Sequence, residues 1–178
     1  DAHHYNSKLN IVKPNSNFAK IFSKEEQGEF RKNPCVFQNH GQGYIVNAPY
    51  MKKWHKYWNT VATSMSEDKK PIEFVSMFEY KNFPFYGTQF HPEKVLFEWI
   101  LPEIGRTPIF RLISKRLSHF FINECKKNKN RVKVPDLYIR NYNLWSRSAT
   151  IKKINPNQKL FKDNHSAFEN SYYFDVLS

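Results

Sequence analysis

The run Phe85-Tyr86-Gly87-Thr88-Gln89-Phe90-His91-Pro92-Glu93-Lys94, with Glu98-Trp99 close behind, constrains this chain more than any other stretch. Residues 85 to 90 are aromatic and β-prone, and Pro92 stops the strand because its ring fixes φ and removes a backbone donor. His91 therefore leaves a strand end with the carboxylate of Glu93 two residues on, on the same side of the backbone. A carboxylate so placed orients an imidazole and favours its protonated form, as the supporting acid of a catalytic base does. Spacing alone equally allows a strand end with a buried histidine and a solvated glutamate.

The flanking sequence supplies the elements that would carry this segment. Ile72–Phe78 is β-prone and only partly alternating, and a loop over Glu79–Pro84 leads into Phe85–Phe90, so two neighbouring strands deliver the His-Pro-Glu turn. After a loop over Leu96–Thr107, Thr107 and Pro108 signal a helix start. Its apolar stripe runs through Ile109, Leu112, Ile113, Leu117, Phe120 and Phe121, and Cys125 is expected as its last buried position.

Residues 1–17 are polar, rich in Asn and His and interrupted by Pro14, and read as an extended arm or linker ahead of a body over 18–178. His3-His4 is expected to be solvated there, since adjacent histidines diverge and no third ligand stands near. Phe18–Phe30 has an approximate helical stripe opened by Asn17. Pro34–Tyr44 reads as a strand breaking into a Gly-containing turn, with Asn39 and His40 at the corner. That is a favoured place for a functional group, although a surface-turn histidine fits the pattern too. Met51, Trp54, Tyr57 and Trp58 are helically spaced, and a Thr/Ser-rich stretch follows through Ser66. Asn128–Lys133 is a basic linker, the sequence beyond it lacks a clear period, and Ser166–Asp175 is strand-like after the sequon Asn164-His165-Ser166.

A chain of 178 residues, 40% hydrophobic, holds one domain and is too apolar for disorder. Its net charge of +12 invites an anionic partner. The lysines and arginines are scattered and no nucleic-acid motif accompanies them, so no nucleic-acid surface is expected. Cys35 and Cys125 lack metal-ligand spacing, and no apolar run reaches the roughly 18 residues that span a bilayer, so neither a metal site nor a membrane span is expected. The chain opens on Asp1 without a signal-like segment and reads as a processed or trimmed product.

Tyr86-Gly87-Thr88-Gln89-Phe90-His91-Pro92-Glu93-Lys94 resembles the His-Pro-Glu segment of class I glutamine amidotransferase-like proteins, and Glu98-Trp99 points to their γ-glutamyl hydrolase branch. Phe90 stands where that family often has Trp. The resemblance implies that His91 is the general base for a cysteine nucleophile, that Glu93 supports it, and that His40, with Asn39 beside it, contacts substrate. It implies an α/β fold, the C-terminal part of a three-layer α/β/α domain whose central, mostly parallel sheet is completed by an absent N-terminal half. It further implies an omega peptidase that needs no metal or organic cofactor and acts on folate poly-γ-glutamates, in a secreted or lysosomal/vacuolar setting with which a glycosylated Asn164 agrees. Expected partners are the nucleophile-bearing half, a poly-γ-glutamyl substrate and a second copy in a homodimer.

Neither cysteine suits the nucleophile. Cys35 lacks the flanking glycines of a strained strand-to-helix elbow, and Cys125 lies within the long helix. The chain is therefore expected to be a fragment of the hydrolase. The alternatives are a degenerate non-catalytic relative acting as a binding or structural protein, or a glutaminase subunit of an amidotransferase.

Overall fold

In the computed structural model, which describes residues 2–99, 101–131, 145–147 and 171–173, strand β1 (Ala2–Ser7) pairs antiparallel with β3 (Val36–His40), and β2 (Asn10–Ile11) pairs with β4 (Trp58–Met65). The expected arm is thus built into the body of the protein. Tyr5, Leu9 and Ile11 explain why: all three are buried, and together they supply an apolar anchor that the polar composition around them masks. Leu9 N–H also donates to Phe30 O at 3.0 Å, and Cys35 N–H to Ser7 O at 2.9 Å.

Strand β4 continues to β5 (Glu73–Tyr80) and β6 (Tyr86–Thr88), giving a four-stranded sheet of order β2-β4-β5-β6. Every pairing among the described strands is antiparallel, which is compatible with part of a domain whose mostly parallel sheet was expected to be completed by an absent half. The links Ser66–Ile72 and Lys81–Phe85 are too short for the crossover of about a dozen residues that parallel neighbours need. Strands β4 and β5 are buried at consecutive positions, so both faces of the middle of the sheet are covered. That burial hides their alternation from the sequence. The Thr/Ser-rich β4 tolerates it because Thr63 Oγ1 donates to Glu73 Oε1 at 2.7 Å and Ser64 Oγ to Lys8 O at 2.9 Å.

One cross-strand pair sets the fit of β6. Gly87 lies opposite Phe78, and a Cβ at position 87 would fall 2.2 Å from the Phe78 ring. That ring is itself flanked by Trp54 and Trp58, each with a centroid distance of 5.3 Å.

The first helix, α1, spans Lys24–Lys32 and does not begin at Asn17 as the apolar spacing suggests. Ser23 caps it: Glu26 N–H donates to Ser23 Oγ at 3.2 Å while Ser23 N–H donates to Glu26 Oε2 at 2.8 Å. Such reciprocal capping is worth about 1 kcal/mol and fixes the start here. Phe18, Ala19 and Phe22 are buried in the preceding turns. Helix α2 (Met51–Tyr57) runs directly into β4, and a single turn, α3, covers Lys94–Phe97.

Helix α4 (Pro108–Lys127) follows the expected stripe, placing Ile113 and Leu117 in a core with Leu9, Ile11, Phe30 and Met77. Each such side chain stabilises the fold by roughly 1.5–3 kcal/mol when buried. The stripe stops short of its expected end, since Phe121 and Cys125 are exposed. A second unit comprises Phe97–Pro102 with Asn128–Ser178; within it β7 (Trp145–Arg147) pairs antiparallel with β8 (Ser171–Tyr173). Strand β8 falls inside the strand-like ending read from the sequence, whereas Asn164 and its sequon lie outside the described residues. Among the described residues no helix is long and apolar enough to cross a membrane.

Candidate active site

Past β6 the backbone keeps its pairing for a few more residues: Gln89 N–H donates to Ser76 O at 2.9 Å and His91 N–H to Phe37 O at 3.0 Å. The second bond brings the end of β3 alongside the His-Pro-Glu turn. From α4, Ser114 Oγ donates to Pro92 O at 2.8 Å, fastening the turn from the other side. Ser114 was not singled out in the sequence, where it looks like one polar residue on an amphipathic helix.

Within this frame His91 Nδ1 lies 2.8 Å from Glu93 Oε1, the contact that the two-residue spacing predicts. His91 Nε2 lies 3.3 Å from Asn39 O. Both oxygens only accept, so the imidazolium can donate from both nitrogens, while in the neutral ring the shorter bond to Glu93 keeps the proton on Nδ1 and leaves Nε2 as the nitrogen that takes up or releases one. The Glu93 hydrogen bond holds the pKa of His91 above its ordinary value against the opposing effect of burial, with the Glu93 charge and the Asn39 carbonyl adding to the rise. Burial raises the pKa of Glu93, but the His91 hydrogen bond, a backbone hydrogen bond and the charges of His91 and Lys94 together outweigh it and leave the carboxyl below its usual range. The pair is a hydrogen-bonded imidazole and carboxylate, and the other ring nitrogen, Nε2, makes only the longer contact to Asn39 O.

His40 sits at the end of β3 in a different setting. Its Nδ1 is 2.9 Å from Gln42 O and its Nε2 is 3.0 Å from Gln38 Oε1. Its ring packs edge-on to Phe74 with centroids 5.2 Å apart. Burial holds its pKa below the ordinary value, and the charge of nearby His91 lowers it further. His40 also lines a cavity of about 400 Å³ with Ala2, Asp68, Ile72 and Phe74, while a second, of about 420 Å³, lies across Gln42 and Gly43 beside Tyr50 and Gln89. Asn39 is half-buried; besides its carbonyl bond to His91, its Oδ1 lies 3.5 Å from His3 Nδ1.

The fold thus brings His91, Glu93, Asn39 and His40 to one place, where backbone pairing delivers the ends of β3 and β6. Gln38, like Ser114, is a residue that sequence reading missed; a glutamine following the apolar pair Val36-Phe37 is the signal that marks it. Cys35 is buried and its thiol is pushed up to about 12, a chemically silent group, whereas Cys125 is exposed on α4. Among the described residues no three His, Cys, Asp or Glu side chains converge as a metal site requires.

No protein-family model matches the chain. It is 32% identical over 132 residues to the human protein named gamma-glutamyl hydrolase, an alignment covering 74% of this chain and 37% of that protein. To probable gamma-glutamyl hydrolase 3 of Arabidopsis thaliana it is 32% identical over 100 residues, covering 54% and 27% of the two chains. To gamma-glutamyl hydrolase B of Dictyostelium discoideum it is 26% identical over 145 residues, covering 80% and 38%. The chain therefore spans well under half the length of these relatives.

Proposed function

The chain is a homologue of the γ-glutamyl hydrolases that matches a C-terminal portion of them, and we propose that it supplies the His/Glu part of a cysteine-dependent site that hydrolyses γ-glutamyl bonds. The observation that carries this reading is the 2.8 Å bond between His91 Nδ1 and Glu93 Oε1, with Nε2 turned away from the carboxylate. In this reading the nucleophile comes from the polypeptide that corresponds to the rest of the relatives' length. That polypeptide also carries the parallel strands that would complete a three-layer α/β/α domain.

The nucleophilic thiol gives its proton to His91 Nε2, displacing the Asn39 carbonyl, and the thiolate attacks the γ-carbonyl carbon. The carbon–nitrogen bond then breaks as the Nε2 proton passes to the departing amine, leaving a thioester. His91 next takes a proton from water, whose oxygen attacks the thioester; the carbon–sulfur bond breaks and the thiolate recovers the proton. Glu93 keeps Nδ1 protonated and the ring oriented throughout. His40 and Asn39 face the substrate, for which folate poly-γ-glutamates are the proposed class, in a secreted or lysosomal/vacuolar setting. The net charge of +12 suits a polyanionic glutamate tail.

The test is an assay of the chain together with the polypeptide encoded upstream of Asp1, comparing glutamate release from γ-glutamyl peptides with ammonia release from glutamine. Glutamate release is expected. Ammonia alone would make the assembly a glutaminase, and an upstream sequence with no Gly-x-Cys-x-Gly-like elbow would leave a non-catalytic relative.

A further inference from the structure

Gln38 is fully buried, yet its amide touches four polar side chains. Its Nε2 lies 2.9 Å from Ser7 Oγ on β1, 3.4 Å from Ser64 Oγ on β4 and 3.3 Å from Ser76 Oγ on β5, while its Oε1 meets His40 Nε2 at 3.0 Å. All three serines are buried as well. A buried polar cluster of this size is costly unless every member is satisfied, and it ends on a residue that faces the candidate site.

The proton count makes the cluster informative. His40 has an acceptor oxygen at each ring nitrogen, Gln42 O at Nδ1 and Gln38 Oε1 at Nε2, so this arrangement satisfies the ring only as the imidazolium. The surroundings oppose that charge. Phe74 packs on the ring, His91 approaches from the segment after β6, and His3 acts from β1; among the described residues of the cavity wall, the carboxylate of Asp68 has the opposite sign. If His40 loses the Nε2 proton, its lone pair faces that of Gln38 Oε1. Rotating the amide by half a turn removes the clash by presenting Nε2–H to the ring. The serines permit this because a hydroxyl donates as well as accepts. Ser64 Oγ–H is directed to Lys8 O, and Ser76 Oγ–H to Ser64 Oγ at 2.8 Å, which leaves the Ser7 hydroxyl to donate to the rotated Oε1.

We propose that Gln38 is a positioning residue whose amide, turning within the cradle of Ser7, Ser64 and Ser76, matches either protonation state of His40 and keeps its neutral form as the Nδ1–H tautomer. The site can thereby present a cation to a substrate carboxylate or a neutral ring to an uncharged group. This functional consequence rests on His40 being a substrate contact; the coupling itself does not, and is read without substrate or nucleophile.

The experiment is ¹⁵N and proton NMR of the histidine side chains in the full chain, titrated with pH, for the wild type, Gln38→Glu and Gln38→Met. The wild type should show neutral His40 with its proton on Nδ1. A carboxylate at 38 only accepts, so Gln38→Glu should raise the proton affinity of His40 about tenfold or more. Gln38→Met, which removes the acceptor without exposing the ring, should lower it. A merely structural glutamine predicts otherwise: both variants would loosen the packing and move His40 the same way, toward its ordinary value. Shifts in one direction, or a neutral wild-type tautomer protonated at Nε2, would overturn the proposal. If Gln38→Glu does not fold, the wild-type tautomer and the Gln38→Met shift decide it. Failure here would leave hydrolysis by His91 untouched, and absent hydrolysis would leave this coupling untouched.

Discussion

His40 and His91 end adjacent segments and the charge of His91 acts on His40, but their surroundings push them in opposite directions. His91 has a carboxylate at one nitrogen, and its pKa rises. His40 has a neutral amide at the equivalent distance and an aromatic ring against its edge, and its pKa falls. Two like groups set apart in this way can hold different protonation states at one pH, which is how acid and base roles are divided in a site. The difference lies in the partners: a carboxylate is acceptor-only, whereas an amide has a donor end and an acceptor end.

The sharpest way to break this comparison is to exchange the losses. In an assembly that cleaves γ-glutamyl bonds, His91→Ala should lower kcat by about 10²–10⁴-fold, the usual worth of a general base, and His40→Ala should act mainly on KM. Equal losses of kcat would end the division of roles. Next in size is Ser114→Ala, which leaves Pro92 O without its buried donor and should cost roughly 1 kcal/mol in denaturant unfolding. Because Ser114 fastens only the His91 turn, the titration of His91 should move and that of His40 should stay.

The smallest effect is on stability as pH changes. The folded pKa of His91 is raised, so its contribution is complete below the ordinary 6.5 and is lost as pH rises through the folded value. The folded pKa of His40 is lowered, so its contribution is complete above 6.5 and is lost as pH falls through the folded value. Together they place a local stability maximum near pH 6.5. Unfolding curves of Glu93→Gln should lose the decline on the alkaline side and keep the one on the acid side. An unchanged curve would mean the Glu93 bond does not set the proton affinity of His91.

The His-Pro-Glu contact was legible in the sequence because it is local: Pro92 fixes the turn, and two residues suffice to bring ring and carboxylate together. Helix α4 was legible for a similar reason, its stripe repeating over several turns. The strands of residues 2–11 were not, since their burial depends on β3 and β4, which are distant in sequence. Strand β4 was hidden by hydroxyls whose partners, Glu73 and Lys8, emerge only on folding. Gln38 was obscured for the same reason, its meaning lying in three serines from three other strands.

The Gly87–Phe78 pair has a consequence for the accuracy of folding. Only position 87 can lie over that ring, because any side chain there would strike it and Trp54 and Trp58 flank the ring. A slip of one residue would set Tyr86 or Thr88 on the ring and turn every side chain of the segment to the opposite face. The missing side chain therefore acts as a proofreading step: it rejects the misaligned hairpin before His91 can be delivered to the wrong side of the sheet.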